Sequence, residues 1–500
     1  MKLSSSFAGG LLLTALAAST SAHAENDKAP MGKFKDHVSR PIRRHHQLAA
    51  RAAPSNAAEM AKVMDPNQAC KPYGVAASQT LASTYPKSDQ IASIQENDKD
   101  AQAIWSEIQK SGMIPQNVQV KKGVQNHKGF SQQQSNSYDL SKDPDCWWSA
   151  SQCTKPKAKN LPADIYTCDE PNTWGLTFDD GPNCSHNAFY DFLKQQKLKA
   201  TLFYIGANVI NLPLHAQRGL ADGHHICGHT WSHNYMTTLS NEQVFAELYY
   251  TMRIIKDVMG VTTTCWRPPF GDVDDRVRAI AAGLGLRTIL WSEDTNDWDV
   301  QPGGSEPRSK IIGNYQKIFN KGKNHGSEIV LTHEIRADTM KLFQDMFPQL
   351  RSSFNNVIPL TACLNVTQPY VEDNITYAVF SDFIKGNIDP KGLPSMDNMA
   401  INPDSKINVQ SLDKQTQGGF SPAAMSNANR SPNNSTSSSG GGQSQSPPSS
   451  SGSDAQPFGS SSNSKQGSSK GNSDNSSMSK HAFNIYALVA VVTLSIAVLV

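Results

Sequence analysis

Short apolar runs alternate with helical patterns over about 200 residues from Trp174 onward, and this alternation restricts the fold more than any other feature of the chain. A helix between two strands carries the chain back across the sheet, so the next strand runs parallel to the previous one. Seven strand-like runs are present, at 175–178, 200–205, 225–227, 263–266, 287–291, 328–332 and 357–361. The pattern predicts an α/β fold, a distorted TIM-like barrel of seven strands instead of the usual eight.

The helices between these runs are indicated by apolar spacing and by capping residues. Ser240 and Gln243 have the spacing of a capping box. Apolar residues then recur at helical intervals from Val244 to Met259, and Gly260 is suited to end the helix. Further helices are predicted around 185–197, 274–283 and 311–319.

Polar clusters follow five of the predicted strands, at the point where each strand ends. They are Asp179-Asp180 after the first strand, His229 and His233 after the third, Arg267 to Phe270 after the fourth, Asp294 to Trp298 after the fifth, and His333 at the end of the sixth. Chemistry in parallel α/β barrels lies at the carboxyl ends of the strands. We therefore expect these side chains to lie close together at one end of the barrel.

Each cluster also has an ordinary structural interpretation when it is considered alone. Two Asp residues before Gly-Pro are common in turns, and the two histidines could be surface residues. His229 and His233 have the spacing of the His-Glu-x-x-His zinc proteases, but Thr230 stands where those enzymes have their general base. A carboxylate for this site must therefore come from elsewhere in the chain.

Two imidazoles and one carboxylate form an open site for a divalent metal, with a coordination position left for water. Asp180 can complete such a set with His229 and His233. Asp179, its neighbour in the chain, then remains free to accept a proton from water. The residue types therefore predict a metal site with a general base beside it.

An acid on the other side of the metal is also predicted. Asp297 can pair with His333 and raise its pKa, so that the imidazolium delivers a proton to a leaving group. Arg267 can pair with Asp179 and hold it ionised and oriented. An ordinary salt bridge is the alternative interpretation for both Arg267 and Asp297. Three further side chains are predicted to bind substrate: Phe270, Trp298 and Leu331. An ordinary core position is the alternative for Trp298 and Leu331.

Five motifs in chain order resemble those of the polysaccharide deacetylase (NodB homology) family, carbohydrate esterase family 4. The motifs are Thr177-Phe178-Asp179-Asp180-Gly181-Pro182, His229-Thr230-Trp231-Ser232-His233, Arg267-Pro268-Pro269-Phe270-Gly271, Asp294-Thr295-Asn296-Asp297-Trp298 and Leu331-Thr332-His333. The resemblance implies a metal-dependent hydrolase that removes acetyl groups from N-acetylglucosamine residues, with zinc, or sometimes cobalt, as the metal. It implies Asp179 as base, Asp180, His229 and His233 as ligands, and His333 as acid.

Within the family, the sequence is similar to fungal chitin deacetylases that carry a lipid anchor. Asn234 and Glu334 depart from the common pattern, in which many relatives have Pro and Asp. We expect these two positions to affect the details of sugar recognition and not the reaction. One alternative is a deacetylase of another acetylated polymer, such as partly deacetylated chitosan or acetyl xylan. The other is a wall-anchored sugar-binding protein with an inactive barrel.

Both ends of the chain have the composition of targeting segments. Residues 1–24 form a signal peptide with Ala22-His23-Ala24 at its cleavage site. Residues 482–500 are apolar and uncharged, and Gly471 begins a run of small residues followed by a polar spacer, as in a GPI attachment signal. A tail-anchored helix is the alternative. We expect secretion, attachment to the cell membrane by a GPI lipid, and association with the cell wall.

The remaining segments divide as follows. Residues 25–145 are an N-terminal extension of unknown role, 146–365 the catalytic domain and 366–430 a C-terminal extension. In the linker at 431–481, 21 of the 50 residues from 431 to 480 are Ser, too polar a composition to form a core. Glycosylation is predicted at the sequons that begin at Asn365, Asn374, Asn429 and Asn434.

Cysteine content and net charge limit the remaining possibilities. Eight cysteines in a secreted chain favour disulfides over a sulfur metal site, and we predict one pair, Cys168 with Cys363, that joins the two ends of the central domain. The other pairings stay open. The formal net charge is +2, from 46 basic and 44 acidic residues, which argues against nucleic acid as a partner. We expect a monomer that acts on a polysaccharide.

Overall fold

The computed structural model describes residues 53–122, 138–300, 304, 306–409, 411 and 420. The predicted signal peptide, the Ser-rich linker with Gly471, the apolar tail, and the sequons at Asn429 and Asn434 lie outside these residues. In the part of the chain that is described, no helix is both long enough and apolar enough to cross a bilayer.

Eight parallel strands form one sheet. They are β1 Thr173–Gly181, β2 Thr201–Tyr204, β3 His225–Gly228, β4 Cys265–Trp266, β5 Arg287–Thr288, β6 Glu293–Asp294, β7 Ser327–Leu331 and β8 Asn356–Ile358. Hydrogen-bonded neighbours follow the order β5-β4-β3-β2-β1-β7-β6, and β8 pairs with the first residues of β1. The α/β class and the parallel sheet predicted from the alternation are confirmed.

The fifth predicted strand, 287–291, is too long, because β5 ends at Thr288, and a separate strand, β6, follows at Glu293–Asp294, which makes the strand count eight instead of seven. β5 pairs with β4 at one end of the strand order, and β6 pairs with β7 at the other end. Between them, the amide of Ile289 donates to Trp266 O (2.9 Å) and the amide of Ser292 donates to Ile329 O (3.0 Å). One stretch of chain therefore bonds to both ends of the sheet, so the sheet curls into a distorted barrel.

Helices and helical turns connect the strands and continue into the flanking segments. The helices are Ala57–Met60, Pro66–Ala69, Ser78–Thr84, Lys99–Lys110, Trp148–Ser151, Asn187–Gln195, Gly206–Asn211, Pro213–Ala221, Asn241–Met259, Asp275–Gly283, Arg308–Lys323, Ala337–Ser353, Leu360–Cys363 and Phe380–Phe383. Turns of 3-10 helix span Met236–Thr238, Pro269–Gly271 and Asp297–Asp299.

Local sequence explains several of these boundaries. The predicted capping box is present, because Ser240 accepts from the amide of Gln243 while the Gln243 side chain accepts from the amide of Ser240. Gly260 ends that helix with φ of 79°, a left-handed conformation that glycine adopts without strain. The predicted strand at 357–361 was too long, since the residues after Pro359 begin the short helix Leu360–Cys363.

The core surrounds β1, which is buried along its whole length, as expected of a central parallel strand. The Trp174 ring packs edge-on against Phe354, with 5.5 Å between centroids. On the same strand, Phe178 makes edge-on contacts with Phe189 and Phe343 at 5.0 Å each. Such edge-on pairs stabilise the fold by about 0.5–1.5 kcal/mol each, in addition to the stabilisation from the apolar area that they bury. The first motif therefore begins on a rigid strand.

The described part of the predicted N-terminal extension packs into the same core as the barrel. The Trp231 indole donates to Lys87 O (3.1 Å), and the Tyr85 hydroxyl donates to Asp257 on helix Asn241–Met259 (2.6 Å). Tyr85 also stacks on Trp231, with 5.6 Å between ring centroids. Residues before 146 therefore support a loop that carries the second motif.

All eight cysteines form disulfides, and the predicted pair is confirmed. Cys168 bonds to Cys363 across 195 residues, so it joins the start and the end of the barrel. The other pairs, which the sequence left open, are Cys70–Cys184, Cys146–Cys153 and Cys227–Cys265. Of the sequon residues within the described ranges, Asn374 is exposed, whereas Asn365 is half-buried and accepts from the amide of Phe380 (2.8 Å).

Candidate active site

The side chains singled out from the sequence follow the carboxyl ends of the strands, at one end of the barrel. Asp179 and Asp180 lie at the end of β1, His229 directly after β3, Arg267 directly after β4, Asp297 in the turn after β6, and His333 two residues after β7. The amide of Asp179 donates to Thr332 O (2.9 Å), and the amide of Glu334 donates to Asp179 O (3.0 Å). This bridge fixes the backbone of His333 beside that of Asp179.

Asp180, His229 and His233 come together as a cluster of three ligand-type side chains. One carboxylate oxygen of Asp180, Oδ1, lies 3.1 Å from Nε2 of His233 and 3.4 Å from Nε2 of His229. Asp180 and His233 have left-handed backbones, with φ of 71° and 56°. Such conformations are costly for residues other than glycine and are often found at functional sites.

The chemistry of this cluster fits a divalent cation. Asp180 Oδ1 is buried and accepts no hydrogen bond from the described residues. Nδ1 of His229 lies 2.8 Å from the carbonyl oxygen of Arg267, so Nδ1 carries the proton and Nε2 keeps its lone pair for a ligand bond. Burial alone would raise the pKa of Asp180, but the neighbouring imidazoles hold it well below the ordinary value.

Two other groups of ligand-type side chains do not offer a comparable site. One contains Cys227 and Cys265, and the other contains Cys146 and Cys153. Both pairs are disulfides, so their sulfur atoms cannot act as thiolate ligands. Among the described residues, the Asp-His-His cluster is therefore the one group suited to a metal.

Asp179 is held by a buried arginine. Nη1 of Arg267 donates to Asp179 Oδ1 (2.7 Å) and to Thr177 Oγ1 (3.0 Å), while Nη2 donates to Leu290 O (3.1 Å). The guanidinium also lies 4.1 Å from the ring centroid of Phe203. Burial lowers the pKa of Arg267, and the charge of Asp179 opposes that effect. The predicted pair of Arg267 and Asp179 is present, and it fixes Oδ1 of Asp179. The other carboxylate oxygen of Asp179, Oδ2, lies 3.8 Å from Nε2 of His229 in the metal cluster.

His333 is held by Asp297 through two contacts. Nδ1 of His333 lies 2.6 Å from Asp297 Oδ1, and the amide of His333 donates to Asp297 Oδ2 (2.9 Å). Burial lowers the pKa of His333, but the charge of Asp297 and its hydrogen bond outweigh burial and raise the pKa to about 10. Asp179 and Asp180 add to the rise. The imidazole is therefore kept protonated at neutral pH.

The three side chains predicted to contact substrate lie at the same end of the barrel. Phe270 is 40% exposed, has φ of 59°, and stacks on Tyr235 with 4.0 Å between ring centroids. Its ring also meets the edge of His233 at 4.7 Å. Trp298 is half-buried in the turn after β6, and Leu331 is buried at the end of β7. Their contacts with substrate stay a prediction.

Sequence reasoning missed two residues that support the motifs, Glu247 at the second and Tyr235 at the third. Glu247, fully buried on helix Asn241–Met259, accepts from the amide of Ser232 (2.8 Å) and from the amide of Ala92 (2.8 Å). An acidic residue three positions after Val244, on the apolar face of that helix, was the signal that could have identified it. Tyr235, which covers Phe270, gave no comparable signal.

The two departures from the family pattern do not contribute to the metal cluster. Asn234 donates to Ser232 Oγ (2.7 Å) within the second motif. Glu334 is fully buried, 3.5 Å from His186, and burial raises its pKa well above the ordinary value. A Cβ atom on Gly181 would meet Glu334 Oε1 at 1.6 Å, so glycine is required where the first motif turns. Glu334 therefore packs beneath the first motif.

This fold and this site define a hydrolase of the α/β-barrel class, with a metal cluster between a carboxylate and a protonated imidazole. The family model for polysaccharide deacetylases matches residues 167–289. Chitin deacetylase 2 of Cryptococcus neoformans var. grubii is 47% identical over 344 residues, which are 67% of this chain and 74% of the relative. Chitin deacetylase of Amylomyces rouxii is 50% identical over 240 residues, 47% of this chain and 56% of that protein.

The chain belongs to the polysaccharide deacetylase family, carbohydrate esterase family 4. Deacetylases of this family depend in general on a divalent metal. The resemblance inferred from the five motifs is therefore confirmed.

Proposed function

We propose that this protein hydrolyses the N-acetyl groups of N-acetylglucosamine residues in chitin, releasing acetate and leaving glucosamine units. The observation that carries the proposal is the convergence of Asp179, the Asp-His-His cluster and the Asp297–His333 pair at one end of the barrel. An amide needs both activation of water and protonation of its nitrogen, and this arrangement offers a group for each task. Two relatives at 47% and 50% identity are chitin deacetylases.

A divalent cation held by Asp180, His229 and His233 would supply a Lewis acid that lowers the pKa of water and polarises the acetamide carbonyl. Two imidazoles and a carboxylate suit zinc, and we propose zinc as the metal, with cobalt as the alternative.

The protein's own residues account for the proton transfers. Asp179 accepts a proton from the attacking water as its oxygen bonds to the carbonyl carbon, and Arg267 keeps the carboxylate oriented. A backbone N–H near Phe270 donates a hydrogen bond to the developing oxyanion. His333 then gives its proton to the nitrogen as the C–N bond breaks. Acetate and a glucosamine unit leave, with Asp179 protonated and His333 neutral until solvent restores both.

Replacing either imidazole ligand should remove the bound metal. We expect purified His229→Ala and His233→Ala to contain less than about a tenth of the wild-type metal, because two ligands hold an open site poorly. Elemental analysis after dialysis measures the content, with His325→Asn as a control on an exposed histidine. Asn tolerates the left-handed backbone at His325, where φ is 63°. Full occupancy in both alanine variants would show that other residues bind the ion.

The identity of the polymer is tested by product profiling. Purified protein is incubated with N-acetylglucosamine oligomers, partly deacetylated chitosan and acetyl xylan, and released acetate and product masses are measured. We expect the fastest release from the N-acetylglucosamine oligomers. Faster release from acetyl xylan would assign a different substrate, and no release from any of the three would favour an inactive sugar-binding protein.

We also propose that the protein is secreted, attached to the cell membrane by a GPI lipid at or near Gly471, and active at the cell wall. The support is the order of small residues, polar spacer and uncharged apolar segment from 471 to 500. Phosphatidylinositol-specific phospholipase should release the protein from isolated membranes. Continued attachment after complete digestion, with the 482–500 peptide still present by mass spectrometry, would instead show a retained apolar anchor.

A further inference from the structure

The loop closed by the disulfide Cys146–Cys153, here called the 146–153 loop, packs beside the third motif. The Trp147 indole and the Ser149 hydroxyl both donate to Oδ1 of Asp272, at 2.9 and 2.7 Å. Asp272 is fully buried, and it directly follows the motif residue Gly271. Arg278 donates to the carbonyl oxygen of Cys146 (2.6 Å). The loop is therefore held in a fixed position at the edge of the site.

Trp148 is placed by this loop against the third motif. Its amide donates to Val273 O (3.0 Å), and its ring lies so close to Gly271 that a Cβ atom there would approach the ring to 2.1 Å. The same ring contacts Trp291 at a steep angle of 64°, with 4.6 Å between centroids. The two tryptophan rings thus form a joined aromatic surface, to which the half-buried Trp291 contributes more exposed area than Trp148, which is 9% exposed.

This surface lines a groove with a volume of about 380 Å³. Its walls include Trp148, Gln152, Thr154, Tyr166, Trp291 and Asp294. Tyr166 is 40% exposed, so its ring is available to a ligand. Ser292 and Glu293 complete the lining, so the groove combines three aromatic rings with one amide, two aliphatic hydroxyls and two carboxylates.

The groove lies next to the catalytic residues. The guanidinium of Arg267, which holds Asp179, lies 5.7 Å from the ring centroid of Trp291. Asp294, at the end of β6, begins the motif that contains Asp297. The groove therefore shares Trp291 and Asp294 with the surroundings of the residues that hold Asp179 and His333.

We propose that this groove binds a further sugar ring of the same amino-sugar polysaccharide, beyond the unit that is deacetylated; the inference rests on the proposed function. A pyranose ring has apolar C–H faces and a rim of hydroxyl groups. Large, rigid aromatic side chains suit the faces, while the Gln152 amide, the Thr154 hydroxyl and the Asp294 carboxylate suit the rim. Trp148 and Tyr166 precede the residues 167–289 that match the family model, and Trp291 and Asp294 follow them, so the subsite is built from segments on both sides of the matched region.

The test compares kcat/KM on N-acetylglucosamine hexamer with kcat/KM on the dimer, because only the longer oligomer can fill distant subsites. Tyr166→Ala should lower the hexamer-to-dimer ratio by about fivefold or more, whereas Tyr166→Phe, which keeps the ring, should hold it within about twofold. Trp148→Ala should lower the ratio further, and thermal melting checks that this variant folds. Val371→Ala is the control at an exposed apolar residue that does not line the groove.

Each outcome has a distinct meaning. Equal losses on both oligomers, or an unchanged ratio in Tyr166→Ala and in folded Trp148→Ala, would overturn the subsite while leaving the proposed function intact. Wild-type protein that deacetylates neither oligomer would overturn the proposed function. In that case, calorimetric titration of the hexamer into wild type and Tyr166→Ala decides the subsite: weaker binding by the variant supports it, and equal or absent binding overturns it.

Discussion

Asp179→Asn should reduce kcat for N-acetylglucosamine oligomers by about 100- to 10,000-fold, the usual contribution of a general base. Asparagine keeps the size of the side chain and an oxygen that can accept a hydrogen bond from Arg267. In the wild type, this hydrogen bond from Arg267 Nη1 to Asp179 Oδ1 is 2.7 Å long. It cannot accept a proton from water at neutral pH. The three residues of the metal cluster are unchanged, so bound metal should stay near the wild-type amount.

Steady-state kinetics, elemental analysis and thermal melting together test this expectation. Asp404→Asn makes the same chemical change at an exposed position and should leave all three measurements near the wild-type values. If Asp179→Asn kept more than a tenth of the wild-type activity, the base would be another group. If it lost its metal together with its activity, Asp179 would be acting as a ligand.

The sequence predicted the parallel sheet and the convergence of the clusters because both follow from the order of strands and helices. It could not predict that the stretch from 287 to 294 pairs with β4 and then with β7. An apolar run shows that a segment is buried, but it does not show which neighbour the segment bonds to. The pair of Asp297 and His333 was predicted from residue type. The 2.6 Å distance between Asp297 Oδ1 and His333 Nδ1 depends on the change of strand partner from β4 to β7.

The contribution of the N-terminal region was not predicted, for a different reason. Lys87 accepts a hydrogen bond from Trp231 through its backbone carbonyl, and Ala92 donates to Glu247 through its backbone amide. Every residue has a carbonyl group and every residue except proline has an amide hydrogen, so such contacts leave no pattern in a single sequence. The proposed contribution of Trp148 to the groove was not predicted either, because an aromatic residue outside the motifs is compatible with an ordinary core position.

Replacing Asp297 should shift the alkaline limb of the pH profile to lower pH. A general acid works only while it is protonated, so activity that depends on His333 is present below its pKa and lost as the pH rises through it. Burial lowers that pKa and the Asp297 carboxylate raises it to about 10. In Asp297→Asn, burial remains and only the smaller contributions of Asp180 and Asp179 still raise the pKa of His333, so that pKa should fall toward the ordinary value of about 6.5.

The size of the effect depends on pH. At pH 9, an imidazole with a pKa of about 10 is mostly protonated, whereas one with a pKa of about 6.5 is protonated in less than about 1% of molecules. We therefore expect kcat/KM for an N-acetyl oligomer to fall about 100-fold at pH 9 and much less at pH 6. The acidic limb should move little, because the substitution leaves the residues that activate the attacking water unchanged.

A second substrate separates proton delivery from simple support of the loop. An aryl acetate has a leaving group that departs with little protonation, so Asp297→Asn should reduce its hydrolysis much less than that of the amide. Asp297 also accepts from the backbone amide of His333 at 2.9 Å, and loss of that bond would disturb both substrates alike. Paired pH profiles of kcat/KM distinguish the two effects. Equal losses on both substrates, with no change in the shape of either profile, would mean that Asp297 only positions the loop.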